Sequence, residues 1–77
     1  MVFPDYPGHF PGEPLVPGAA LLDWVARETE WRGFERVRFV APVRPGEDVA
    51  LEVRGNHFTI TRGAEVVAHG VGIMGPS

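Results

Sequence analysis

The chain has no cysteine and no lysine. Without cysteine there is no disulfide framework and no thiolate to act as nucleophile or soft metal ligand. All seven basic residues are arginines, set against ten acidic ones for a net charge of −3, and neither sign forms a block. That excludes the clustered basic stretch by which a nucleic-acid binder announces itself, so no nucleic-acid partner is expected. No apolar run reaches membrane-spanning length, and no charged start leads into an apolar core as in a signal peptide. The expected location is the cytoplasm, with no membrane contact. No internal repeat, low-complexity segment or metal-ligand spacing is present, and no metal is expected.

What the chain does have is 77 residues with 44% hydrophobic content, ordinary for a globular protein and too apolar for disorder. That length allows a single domain over 1–77 with a small core, so association into a homo-oligomer, a dimer or larger, is expected to supply further burial. Proline and glycine are concentrated at one place. Three of each lie between Gly8 and Gly18, a density that specifies one loop path because proline fixes φ and glycine permits unusual values. The loop carries a single imidazole, His9, and runs directly into an apolar helical stretch holding a carboxylate, Asp23. A helix starting near Pro17-Gly18 and ending at Trp31 or Arg32 would place Leu21, Leu22, Val25, Ala26 and Thr29 on one face and Asp23, Arg27 and Glu30 on another. Gly33 stands where a helix C-cap glycine would.

Beyond Gly33 the period becomes two. Strands are expected over Phe34–Val43, Val49–Arg54, His57–Thr61 and Glu65–Met74. Gly55-Asn56 reads as a two-residue hairpin, and Arg62-Gly63-Ala64 as a second turn. Gly70 and Gly72 inside the last strand suggest a bend or a close approach. One helix followed by an antiparallel meander is an α+β layer arrangement.

An imidazole and a carboxylate beside a helix N-terminus suit acid–base chemistry on a carbonyl compound. The imidazole titrates near neutrality, and the free N–H groups at the helix start can receive an oxyanion. The run His9-Phe10-Pro11-Gly12-x-Pro14-x-x-Pro17-Gly18, with Asp23 fourteen residues after the histidine, resembles the active-site signature of the 3-hydroxyacyl-acyl-carrier-protein dehydratases. The likeness is to their Asp-containing subgroup. It implies a hot-dog fold, one central helix packed on an antiparallel β-sheet, here short of an N-terminal strand. It also implies removal of water from a 3-hydroxyacyl thioester carried by acyl carrier protein or coenzyme A, with no cofactor. In that scheme His9 is the base, Asp23 handles the departing hydroxyl, and the Gly18 amide holds the thioester oxygen. Phe10, Leu15, Val16, Leu22 and Val25 are expected to line the acyl tunnel, and one subunit's histidine meets the other's aspartate. The family commonly has Gln four residues after the acid. Here Arg27 stands there, and an i,i+4 pair with Asp23 makes Arg27 a modulator of the acid. A non-catalytic hot-dog binding or dimerisation module, and a hot-dog thioesterase whose carboxylate activates water, are the alternative readings. His57 and His69 belong to no motif.

Overall fold

A computed structural model describes residues 1–4 and 15–75 of the chain. Helix α1 spans Gly18–Thr29, followed by strands β1 (Gly33–Phe39), β2 (Ala50–Arg54), β3 (His57–Arg62) and β4 (Glu65–Ile73). The four strands form one antiparallel sheet in the order β1-β4-β3-β2, and α1 covers one face of it. This is the helix-on-sheet layer of a hot-dog fold.

The helix is held by its apolar stripe. Leu21 and Val25, one turn apart, are buried against Phe58, Ile60, Val67 and Ala68 of β3 and β4. Complete removal of such side chains from water contributes roughly 1.5–3 kcal/mol each, which for a helix of 12 residues outweighs its intrinsic propensity. The helix ends earlier than its periodicity suggests. Glu30, in left-handed conformation with φ 60°, is the C-cap, and its N–H donates to the Ala26 carbonyl at 2.7 Å. Gly33 therefore is not the cap; it opens β1. Two contacts enforce the earlier exit. The Thr29 hydroxyl accepts from the Trp31 N–H at 3.3 Å while donating to the Val25 carbonyl. The Trp31 ring is drawn into the core, where it meets Phe34 and Phe58 with ring centroids 6.2 Å away in both cases.

Gly72 makes room for that indole. A Cβ added there would stand 2.0 Å from Trp31, and one added at Gly70 would stand 2.2 Å from the Arg36 carbonyl oxygen. Both glycines thus mark close approaches. Strand β1 stops at Phe39, short of the expected Val43. Val67 is the residue at which the β3–β4 register slips, and the N–H groups of Val40 and Ala41 both donate to its one carbonyl. A shared acceptor cannot continue a regular ladder. A second irregularity, at Glu35, separates Phe34 from Arg36 and resets the alternation. Val37 then faces the helix layer, and Arg36 and Arg38 face the other way.

The two turns follow their sequences. In the β2–β3 hairpin Gly55 alone has positive φ, 60°, which fits a type II′ turn. The β3–β4 turn uses Gly63 at φ 62°. The chain start is fastened to the sheet region: Val2 bridges Asp48, and the terminal ammonium donates to Asp48 Oδ1 at 2.8 Å and to the Val49 carbonyl at 2.9 Å.

Candidate active site

The N-terminus of α1 is built from two residues with opposite backbone properties. Pro17 is the N-cap, extended at φ −61° and ψ 144°, and its carbonyl accepts the first helical bonds, from Ala20 at 3.0 Å and Leu21 at 3.3 Å. The Gly18 and Ala19 amides precede those bonds, at the positive end of the helix dipole, and the first turn holds no acidic residue. Glycine at position 18 leaves room for a ring. A Cβ there would lie 2.7 Å from the Phe39 ring, which stands against the helix start from the end of β1. Phe39 keeps half of its surface exposed, and with Leu15, Val16, Gly18 and Leu21 it lines an apolar hollow of about 220 Å³ closed by Ala41, Pro42 and Val43.

Asp23 belongs to a different hollow. It lies with Ala19, Ala20, Trp24 and Arg27 in a groove of about 510 Å³ bordered by Met1, Phe3 and Pro4. Five residues along a helix correspond to a rise of about 7.5 Å and a turn of about 140° beyond one full revolution. The amide of Gly18 and the carboxylate of Asp23 thus look out on different sides of α1. Asp23 is exposed, and its Oδ2 accepts from Arg27 Nη2 in an i,i+4 ion pair. The sequence expectation that Arg27 pairs with the acid matches the geometry.

The expected tunnel residues separate. Leu15 and Val16 line the hollow at Gly18. Leu22 packs on the core, and Val25 is fully buried within it, so among the described residues neither borders either hollow. Helical periodicity selects both for their apolar character and cannot tell core from tunnel. His9 and Phe10 lie outside the described residues. The walls supplied by Phe39, Ala41 and Val43 were not expected. Their only trace in the sequence is an apolar run that outlasts the strand.

Elsewhere one polar cluster has perturbed protonation. Glu47 Oε1 accepts from the Arg44 backbone N–H at 2.7 Å and from Arg62 Nη1 at 2.8 Å. The backbone bond, aided by the guanidinium, holds the Glu47 carboxyl below its ordinary range despite an opposing desolvation effect. The carboxylates of Glu65 and Glu47 in turn raise Arg62 above its usual value. The cluster ties the β1–β2 connection to the end of β3, and Arg62 Nη1 also donates to the carbonyl of Pro42, a wall residue of the hollow at Gly18, at 2.8 Å.

The fold is that of a hot-dog protein, and comparison with known proteins gives the family. The profile of the ApeI-like dehydratase family matches residues 3–71, and the chain belongs to that family. It is similar to the 3-hydroxyacyl-[acyl-carrier-protein] dehydratase FabZ of Syntrophobacter fumaroxidans, 33% identical over 67 residues, covering 66% of this chain and 46% of the relative. The FabZ of Thermomicrobium roseum is 35% identical over 66 residues, covering 66% of this chain and 44% of the relative. The chain spans less than half the length of these curated relatives. A crystal structure of an uncharacterized protein from Erwinia carotovora subsp. atroseptica superposes with a TM-score of 0.69 at 27% identity, covering 97% of this chain and 77% of that one. No helix among the described residues is long and apolar enough to cross a membrane.

Proposed function

We propose that the chain is a dehydratase acting on a 3-hydroxyacyl thioester, in a site shared between two copies. The observation that carries this reading is the start of α1. Gly18 presents its amide at the positive helix end beside an apolar hollow, within the His9–Asp23 signature. The thioester oxygen accepts from the Gly18 N–H, which stabilises the enolate-like charge that develops there. The His9 imidazole removes the proton from the carbon next to the carbonyl. The carbon–oxygen bond to the 3-hydroxyl then breaks, Asp23 supplies the proton, and water leaves the 2-enoyl thioester. Leu15 and Val16 contact the acyl chain. Family likeness supports acyl carrier protein as the carrier, with coenzyme A as the competing one.

Because Asp23 and Gly18 open onto different hollows of one chain, a site using both draws them from two copies, His9 and Gly18 from one and Asp23 from the other. As proton donor Asp23 must leave its ion pair with Arg27, since in that pair the carboxylate only accepts. The same pair favours a second reading, a thioesterase in which the carboxylate activates water. The two are separated by assaying a 3-hydroxyacyl thioester for the absorbance of the enoyl product and for free thiol. Enoyl product that is lost with Asp23→Asn by at least about a hundredfold supports the dehydratase. Thiol release without enoyl product supports the thioesterase, and neither product leaves the fold as a binding module.

A further inference from the structure

The sheet face turned away from α1 gathers charge that is scattered in the sequence. β1 contributes Arg36 and Arg38, which pair in register with Val71 and His69 of β4, and β3 adds His57 opposite Val71 and Thr59 opposite His69. His57 and His69 are therefore diagonal neighbours, within reach of one ligand. A hollow of about 470 Å³ lies between them, lined by Arg36, Arg38, His57, His69 and Val71. Beyond β3, Arg54 of β2 stands opposite His57, and Glu52 stands opposite Thr59.

The electrostatics select the kind of ligand. The chain as a whole carries −3, yet this face presents Arg36, Arg38 and Arg54 against one facing carboxylate, Glu52, which is engaged by Arg54 at 3.0 Å. Glu35 sits at the β1 irregularity beside Arg36. Among the described residues neither Arg36 nor Arg38 has a carboxylate partner. Two imidazoles alone could attract a metal ion, but flanking guanidiniums repel a cation, and no group of three or more potential ligands is found among the described residues. Guanidiniums with imidazole donors between them match the oxygens of a phosphoryl group, which accept from several donors at once. A second copy of the same face would bring like charges together.

We propose that this outer sheet face is a binding site for a phosphoryl-bearing ligand, held by Arg36 and Arg38 and completed by His57 and His69. The site is separate from the hollows at Gly18 and Asp23.

The test titrates the full chain with pyrophosphate by calorimetry at fixed ionic strength and fixed pH. Saturable one-to-one binding is expected. Arg36→Gln and Arg38→Gln should each weaken it about tenfold, the scale of one charge-assisted hydrogen bond. His57→Asn with His69→Asn should weaken it as well. Arg32→Gln, an exposed arginine outside the hollow, should leave binding unchanged. All these positions are exposed, and a thermal melt verifies that each variant folds. Phosphatidylcholine vesicles with and without phosphatidic acid distinguish the source. Sedimentation with the phosphatidic acid vesicles that pyrophosphate reverses indicates a lipid headgroup, and its absence alongside pyrophosphate binding indicates a free phosphorylated molecule; either supports the site. No saturable binding of pyrophosphate, equal weakening by Arg32→Gln, or retention of a single-stranded oligonucleotide by a protein that ignores pyrophosphate would overturn it.

Discussion

At the scale of single residues, the position most open to manipulation is Arg27. Its guanidinium occupies the Asp23 carboxylate from one helical turn away, with both side chains exposed. Exposed pairs of this kind are weak, so the pair restrains the acid without removing it from use. Arg27→Gln keeps a hydrogen-bond donor and removes the charge. It is expected to raise dehydratase turnover about two- to fivefold, the rate equivalent of one exposed ion pair; slower turnover in the variant would mean that Arg27 assists the chemistry or the carrier contact. Glu47 provides a second test, of stability. Its carboxyl is held below the ordinary value of 4.5, mainly by the Arg44 N–H. A group whose folded value is depressed contributes stability that is present above the unfolded value and lost as pH falls through the folded one. Melting temperature should therefore fall on acidification below about pH 4.5, and Glu47→Gln, less stable at neutrality, should show a shallower decline over the same range.

At the scale of elements, the junction of α1, β1 and β4 is where packing is least forgiving. The buried Trp31 ring occupies the space over Gly72, with the indole 2.0 Å from where a Cβ would stand. The ring cannot swing away without losing its contacts to Phe34 and Phe58. Gly72→Ala should cost about 1–3 kcal/mol or more in chemical denaturation, whereas Gly75→Ala, where the nearest atom is 3.5 Å away, should be nearly neutral. The sequence already signals both strand glycines, the helix start at Pro17-Gly18 and both hairpins, because each depends on a backbone property that belongs to a residue type. The strand end at Phe39 and the helix end at Glu30 are not legible in it. They arise from a carbonyl shared between two donors and from an indole anchored across the sheet, which are contacts between residues far apart in the chain. The same holds for the candidate site. Gly18, Leu15 and Val16 share a hollow as their proximity in sequence suggests, while Val25 is claimed by the core and Phe39 reaches the site from another element. The arginine-rich outer face is invisible to a search for charge runs because β-alternation and three separate strands assemble it.

At the scale of the whole molecule, the decisive fact is that, among the described residues, Gly18 and Asp23 do not share one hollow. Asp23 and the Gly18 amide open onto hollows of about 510 and 220 Å³ on different sides of α1. β1 and β2 are both sheet edges, with Phe39, Val40 and Val53 exposed on or beside them, so a second copy has apolar surface to cover. Sedimentation should accordingly find a species of at least twice the 8.4 kDa chain mass. A stricter test joins assembly to chemistry. His9→Gln removes the base, and Asp23→Asn removes the acid with almost no change of shape, so each variant alone should be inactive. If one site takes its histidine from one subunit and its aspartate from the other, a dimer formed from the two variants has one site with both defects and one with neither. Mixing them with subunit exchange should restore turnover to about a quarter of wild type, from half of the dimers being mixed and one of two sites being intact in each. Exchange verified by mass spectrometry with no return of activity would show that His9 and Asp23 do not meet across an interface. Full activity in either single variant would remove that residue from the catalytic scheme and favour the binding-module reading.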